Sequence, residues 1–313
     1  MKDEILKSLY SFIVTIFFFI LFLPTTYALN PQITDNLPAK TSQKKSLLWL
    51  VEDKKENINL LTLTEPTTSV ASYIESRVIA QLQQYDVKVQ RMSIKRIEQT
   101  LKTTPNACAA NRAKLESRMQ YSLFSSPQAF YLTHKLFRFN QNQPLEKSLF
   151  NADGEITSLK GVFQYTPQKI IGIAGGVSFG PFLDAEIDKL ATKNIYYRGG
   201  INRVTALEAM LYSERVDYLL ALPIDMNPTA SQKLLLEQYT IAGAPPYLIA
   251  HFSCSKSDEG AEAVEAINVI LDKMYRSEDY YLAHQKWFPE QDLIKLQRYL
   301  KEQFVDKSFL NYQ

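Results

Sequence analysis

The sequence predicts an α/β protein built from two strand–helix series, and three observations carry that reading. Short apolar runs alternate with stretches of helical periodicity from residue 46 onward. The pattern stops between Asn140 and Thr157, where Asn, Gln, Pro and Gly gather. A second alternating series then begins at Lys169. Strands that alternate with helices form mostly parallel sheets with helices packed against them.

The chain opens with Lys2 and Lys7 ahead of an apolar run, Phe12 to Leu23, which Pro24 ends. Thr26 and Ala28 provide the small residues of a cleavage site. A basic start, an apolar stretch of roughly 7–15 residues and such a site make a secretory signal. A spanning helix needs about 20 apolar residues, more than this run supplies. Asp3 and Glu4 dilute the positive start, and an uncleaved anchor is the other reading. Residues 1–28 are thus expected to be removed, with release into the periplasm. Residues 29–45, with Pro31, Pro38 and the Lys44-Lys45 pair, read as a flexible leader.

The first series follows. SLLWLV, Ser46 to Val51, is a short run suited to a buried strand. Ala71, Ile74, Val78, Ile79 and Leu82 repeat at helical spacing. Tyr85 to Met92 alternates imperfectly, as a strand would, Ile94 to Leu101 forms a short helix, and Asn106 to Ala110 is a third strand candidate. In the second series KIIGIA, Lys169 to Ala174, is a strand and Gly175-Gly176-Val177-Ser178-Phe179-Gly180 a glycine-rich turn. Phe182 to Leu190 is helical, Asn194 to Tyr197 a strand, Thr205 to Leu211 a helix and Val216 to Leu222 a strand. Pro245 to Ser253 is apolar again. Glu259 to Met274 is a long amphipathic helix, with Ser255 and Asp258 as its expected capping box. The tail, Gln291 to Phe304, is helical, and Trp287 is expected to pack among the C-terminal helices.

Composition excludes several function classes. Without residues 1–28 the chain carries 33 basic and 31 acidic side chains, a balance of +2. Nucleic-acid binding needs a basic field, which this balance does not supply. His134, His251 and His284 are scattered, so no zinc site is expected, and no cofactor either. No G-x-S-x-G elbow exists, and Cys108 has no histidine near it in sequence, so an enzyme is not expected. Asp184 and Glu186 read as a solvated helix face. Cys108 and Cys254 form an even pair in an exported chain, which favours a disulfide over two buried thiols.

Several segments carry a resemblance. Cys108 is followed by Lys114, Arg118 and Phe124-Ser125-Ser126-Pro127. Arg215-Val216-Asp217-Tyr218 precedes Pro223, and Cys254-Ser255-Lys256 precedes Gly260. In order and spacing, residues 45 to 290 resemble family 3 extracellular solute-binding proteins, in which a Thr-x-x-Arg precedes a Phe-Ser-x-Pro. The two cysteines resemble an uncharacterised proteobacterial branch of that family.

The resemblance implies a two-lobed type II periplasmic binding fold with a two-strand hinge. One lobe would hold 45–137 and 248–313, the other 138–247. It implies a Cys108–Cys254 bond between neighbouring strands of the first lobe. It also implies a monomer that binds a small polar or anionic solute between the lobes, for an ABC-type transporter or a receptor. Arg118 falls at the carboxylate-binding position, where a planar guanidinium fork suits an anion. The Ser125-Ser126-Pro127 turn and the turn formed by Gly175, Gly176, Val177 and Ser178 would offer backbone donors from the two lobes. Tyr131 and Arg198, the latter beside Gly199-Gly200, complete the expected site.

Departures qualify the ligand. Glu52, Asp53 and Lys54 replace the family's aromatic-proline patch, and Leu115 replaces its threonine. Leu222 stands where amino-acid binders place an acid. The other expectation is therefore a chain that kept the fold, lost the ligand and serves as an envelope interaction protein.

Overall fold

The structure is a computed structural model that describes residues 43–52, 67, 69–139, 144–200, 202–288 and 290–304. The expected signal segment, nearly all of the leader, and Asp53 and Lys54 lie outside the described residues.

Two five-stranded sheets organise the chain. The first begins with β1 (Lys45–Glu52), α1 (Val70–Gln81), β2 (Tyr85–Met92), α2 (Ile94–Thr103) and β3 (Ala107–Ala113). β1 pairs in parallel with both β2 and β3. This parallel half is the one that strand–helix alternation anticipates. β1 is apolar without a break because both of its faces are covered. Leu47, Trp49 and Val51 face the core beneath α1, while Leu48 and Leu50 face a smaller cluster with Ile97 and Leu101 of α2.

After α3 (Glu116–Met119) comes β4 (Ser122–Leu132), and much later β10 (Tyr247–Ser255). β10 lies between β3 and β4 and is antiparallel to both, giving the order β2-β1-β3-β10-β4. The expected Ser125-Ser126-Pro127 turn is corrected here: these residues lie inside β4. The β4–β10 register shifts beside them, around Ala250, His251 and Ser253. β4 is the edge strand of this sheet, a place where proline is tolerated, and the bulge beside Pro127 relieves the ladder locally.

The chain leaves the first sheet after β4 and enters the second at β5 (Lys135–Phe139). The second unit continues with α4 (Leu159–Tyr165), β6 (Ile171–Ala174), α5 (Pro181–Asp188), β7 (Ile195–Arg198), α6 (Arg203–Tyr212), β8 (Tyr218–Ala221), α7 (Ala230–Leu235) and β9 (Leu236–Tyr239). Its order is β7-β6-β8-β5-β9, with a parallel half around β6 and an antiparallel half around β5. β10 returns the chain to the first sheet. α8 (Asp258–Tyr275), α9 (Glu278–Gln285) and α10 (Leu293–Gln303) follow it.

Cys108 and Cys254 sit opposite one another on β3 and β10 and are bonded, with S–S 2.01 Å. The bond joins the early and late segments of the discontinuous first sheet. Gly260 explains another part of that region. A Cβ there would stand 1.9 Å from the Ser255 carbonyl oxygen, so α8 can start this close to β10 only from a glycine. The expected cap of α8 is corrected: its N-cap is Ser257, whose hydroxyl accepts from Gly260 N–H. Ser255 instead donates to the Thr104 carbonyl at 2.6 Å.

Candidate functional site

Of the expected site residues, Arg118, Gly175 to Ser178 and Arg198 lie at or just after strand ends, where ligands of open α/β sheets sit, whereas Ser125 and Ser126 lie inside β4. β3 ends at Ala113, and α3 immediately presents Arg118. Its Nη2 donates to Glu98 Oε1 at 3.0 Å and its Nη1 to the Ala113 carbonyl at 3.2 Å. Arg112, on β3 itself, donates to the same Glu98 oxygen at 2.8 Å. One carboxylate thus faces two guanidinium groups, and the Nε of Arg112 is buried without a partner. Burial, and then the neighbouring Arg118 charge, hold the Arg112 guanidinium below its ordinary value. The cluster carries an excess positive charge, which is a physical demand for an anion. The sequence singles out Arg118 but not Arg112 and Glu98, which the fold brings to it. The available signal was an arginine at the end of the alanine-rich strand around Cys108.

The Phe124 to Pro127 segment serves the fold. Ser125 is buried; its hydroxyl donates to the Ser126 carbonyl and accepts from Phe252 N–H at 3.0 Å. Ser126 N–H donates to Asn268 Oδ1 at 2.7 Å, and the Pro127 carbonyl accepts from the Tyr275 and Tyr280 hydroxyls. Tyr131 is buried as well, and its hydroxyl donates to Asn111 Oδ1 at 3.1 Å. Burial pushes that phenol well up. Asn111 has a φ of 55°, a left-handed backbone, at the point where β3 bulges against β10. Its own N–H donates to Gln128 Oε1 at 2.7 Å.

In the second lobe, Gly175 to Gly180 connects β6 to α5. Gly175 N–H donates to the carbonyl of Arg198 at 2.8 Å, which sets this turn beside the one after β7. A Cβ on Gly175 would approach that carbonyl at 3.3 Å, while Gly176 and Gly199 border open space. Gly176 and Val177 are exposed, and Ser178 is half-buried. The turn is organised by Asp184, which accepts from the Ser178 hydroxyl at 2.6 Å and Phe179 N–H at 2.9 Å. Glu186 is buried and accepts from Leu159 N–H at 3.1 Å. The expected solvated face for this pair is therefore corrected. Both carboxylates tie chain segments together, a role that sequence spacing does not reveal. Arg198 has an exposed side chain.

The lobes meet at specific contacts. Glu52, closing β1, accepts from Arg203 Nη1 at 2.6 Å, and Arg203 opens α6 in the other lobe. His134 meets Phe179 in a tilted ring contact with centroids 4.7 Å apart, and burial holds its imidazole down to about 3. Leu222 and Ile224, just after β8, pack on the core of the first lobe. Leu132, Pro223, Ile224, Trp287 and Phe288 line a small apolar pocket there, and the Trp287 ring also meets Tyr73 of α1 at a centroid distance of 5.9 Å. No hydrogen bond or ion pair joins Arg118 to the glycine-rich turn among the described residues.

No family model matches the chain, and no curated protein matches it by sequence. Solved structures do match in shape. A mutant of ArgBP from T. maritima superposes with a TM-score of 0.54 at 14% identity, over 78% of this chain and 95% of that one. A putative L-cystine ABC transporter from Listeria monocytogenes gives 0.55 at 13% identity, over 79% and 97%. A histidine kinase sensor domain with similarity to periplasmic binding proteins gives 0.55 at 12% identity, over 79% and 97%. At these identities the likeness establishes the fold. The chain has the two-lobed architecture of periplasmic binding proteins, with a mixed sheet and flanking helices in each lobe.

Proposed function

We propose that this protein is an exported solute-binding protein that holds a small polar or anionic solute between its lobes and presents it to an ABC-type transporter or a receptor. The supporting observation is the Arg112–Arg118–Glu98 cluster at the end of β3. Two guanidinium groups share one carboxylate oxygen there, and a buried N–H has no partner. An anionic group arriving at this cluster balances the charge and takes charge-assisted hydrogen bonds. The turn from Gly175 to Ser178 supplies the opposing wall. The protein acts as a monomer after losing residues 1–28, uses no cofactor and catalyses no reaction. Lobe limits at 45–137 with 248–313, and at 138–247, belong to the same reading.

A thermal-shift screen against carboxylates, amino acids, polyamines and glycan fragments tests it. A solute at 100 times its Kd stabilises the protein by about 2.7 kcal/mol, which is readily measured as a rise in Tm. A flat response across the panel contradicts the proposal.

A second reading has an observation of its own. Arg118 is already satisfied by Glu98 and the Ala113 carbonyl. That arrangement suits a chain that retains the fold as an interaction protein of the envelope without a solute. The flat thermal-shift profile is its signature.

A further inference from the structure

We propose that Glu52 and Arg203 form a cross-lobe tie that holds the cleft shut without any solute. Glu52 closes β1 of the first sheet, and Arg203 is the first residue of α6, which packs on the second. Glu52 Oε1 and Arg203 Nη1 are 2.6 Å apart, with side chains 20% and 9% exposed respectively.

Local structure does not explain this arginine. It occupies the N-terminal end of its helix, where the aligned peptide dipoles disfavour a cation. The N-cap residue, Asn202, has a left-handed backbone and makes no capping bond. Within its own lobe Arg203 reaches the Gly200 carbonyl, at 3.3 Å. The compensating negative charge comes across the cleft from Glu52. Opening the lobes removes that charge and leaves Arg203 against the positive end of α6. The pair is also shielded from water, so salt screens it less than a surface pair.

The tie changes what a solute has to do. A ligand shifts an equilibrium only by the difference between its affinities for the two states. Here the resting protein is already biased toward closure, and a solute adds to a tie instead of creating it. The Nε–H of Arg203 is buried without a partner, so the tie keeps a donor for an acceptor atom of the solute.

Small-angle scattering of the solute-free protein tests the proposal, independently of whether any solute exists. The parent should have the radius of gyration of the closed form. Glu52→Gln and Arg203→Gln should each expand it, and the double variant should expand it no further than the larger single effect, since both remove one interaction. The exchanged pair, Glu52→Arg with Arg203→Glu, should return the compact value and places an acid at the favourable end of α6. Near-ultraviolet circular dichroism establishes that each variant is folded. If the single variants unfold, compaction of the exchanged pair supports the tie and its failure overturns it. Equal radii for parent and singles, or a parent as expanded as they are, also overturn it.

Discussion

Replacing Glu75 by glutamine should make the protein more stable at alkaline pH and leave it nearly unchanged in acid. Glu75 lies on α1 and is 6% exposed, facing the indole of Trp49 in β1. Trp49 Nε1–H donates to its carboxylate at 2.6 Å. Burial pushes the carboxyl from its ordinary 4.5 up to about 7, against the opposing pull of that hydrogen bond. At about 1.4 kcal/mol per pH unit, the folded state disfavours the ionised form by ~3 kcal/mol. The folded protein holds this proton more tightly than the unfolded chain does. The stabilisation is therefore complete below pH 4.5 and is lost as pH rises through about 7. Glutamine keeps an oxygen for the indole N–H and never ionises. Urea unfolding of parent and variant at pH 4.5 and 8.5 should give a difference that grows by about 3 kcal/mol between the two conditions. A difference that is the same at both pH values, or a larger parent stability at pH 8.5, refutes the reasoning.

Other expectations are tested more simply. Unreduced protein, unfolded in denaturant, should contain no free thiol, and removing the Cys108–Cys254 bond should cost about 5 kcal/mol for a loop this long, closed across a separation of 146 residues. Gly260→Ala should destabilise by ~2 kcal/mol or more in chemical denaturation, because its Cβ would meet backbone that cannot rotate aside; a neutral effect contradicts the close approach. Mass spectrometry of the exported protein should find Leu29 at its N-terminus, and intact Met1 in a membrane fraction contradicts cleavage.

Much of the fold is legible in the sequence, for identifiable physical reasons. β1 is an apolar run covered on both faces, α1 and α2 bury a helical stripe, and β2 alternates imperfectly between exposed and half-buried positions, so their positions follow from the pattern. α8 is legible in the same way, although its cap is Ser257 rather than the expected Ser255. β4 is obscured by Pro127 and the paired serines, which look like a turn when the bulge that accommodates them is not visible. β9 and α7 are short, and their side chains are mostly half-buried or exposed, so little hydrophobic pattern marks them. The candidate site is less legible still. Arg118 is singled out by its spacing within a family-like segment. Glu98 and Arg112 are 14 residues apart and Glu52 and Arg203 151, separations that a reading of local pattern does not reach.

Calorimetric titration of the strongest thermal-shift solute into parent protein and Arg118→Ala tests the solute-binding account most directly. The account predicts saturable binding of one solute per protein. It also predicts a loss of roughly 2 kcal/mol or more in the variant, since a charge-assisted hydrogen bond in a closed site disappears. Binding of equal strength in both proteins, or no saturable binding in the parent, contradicts it.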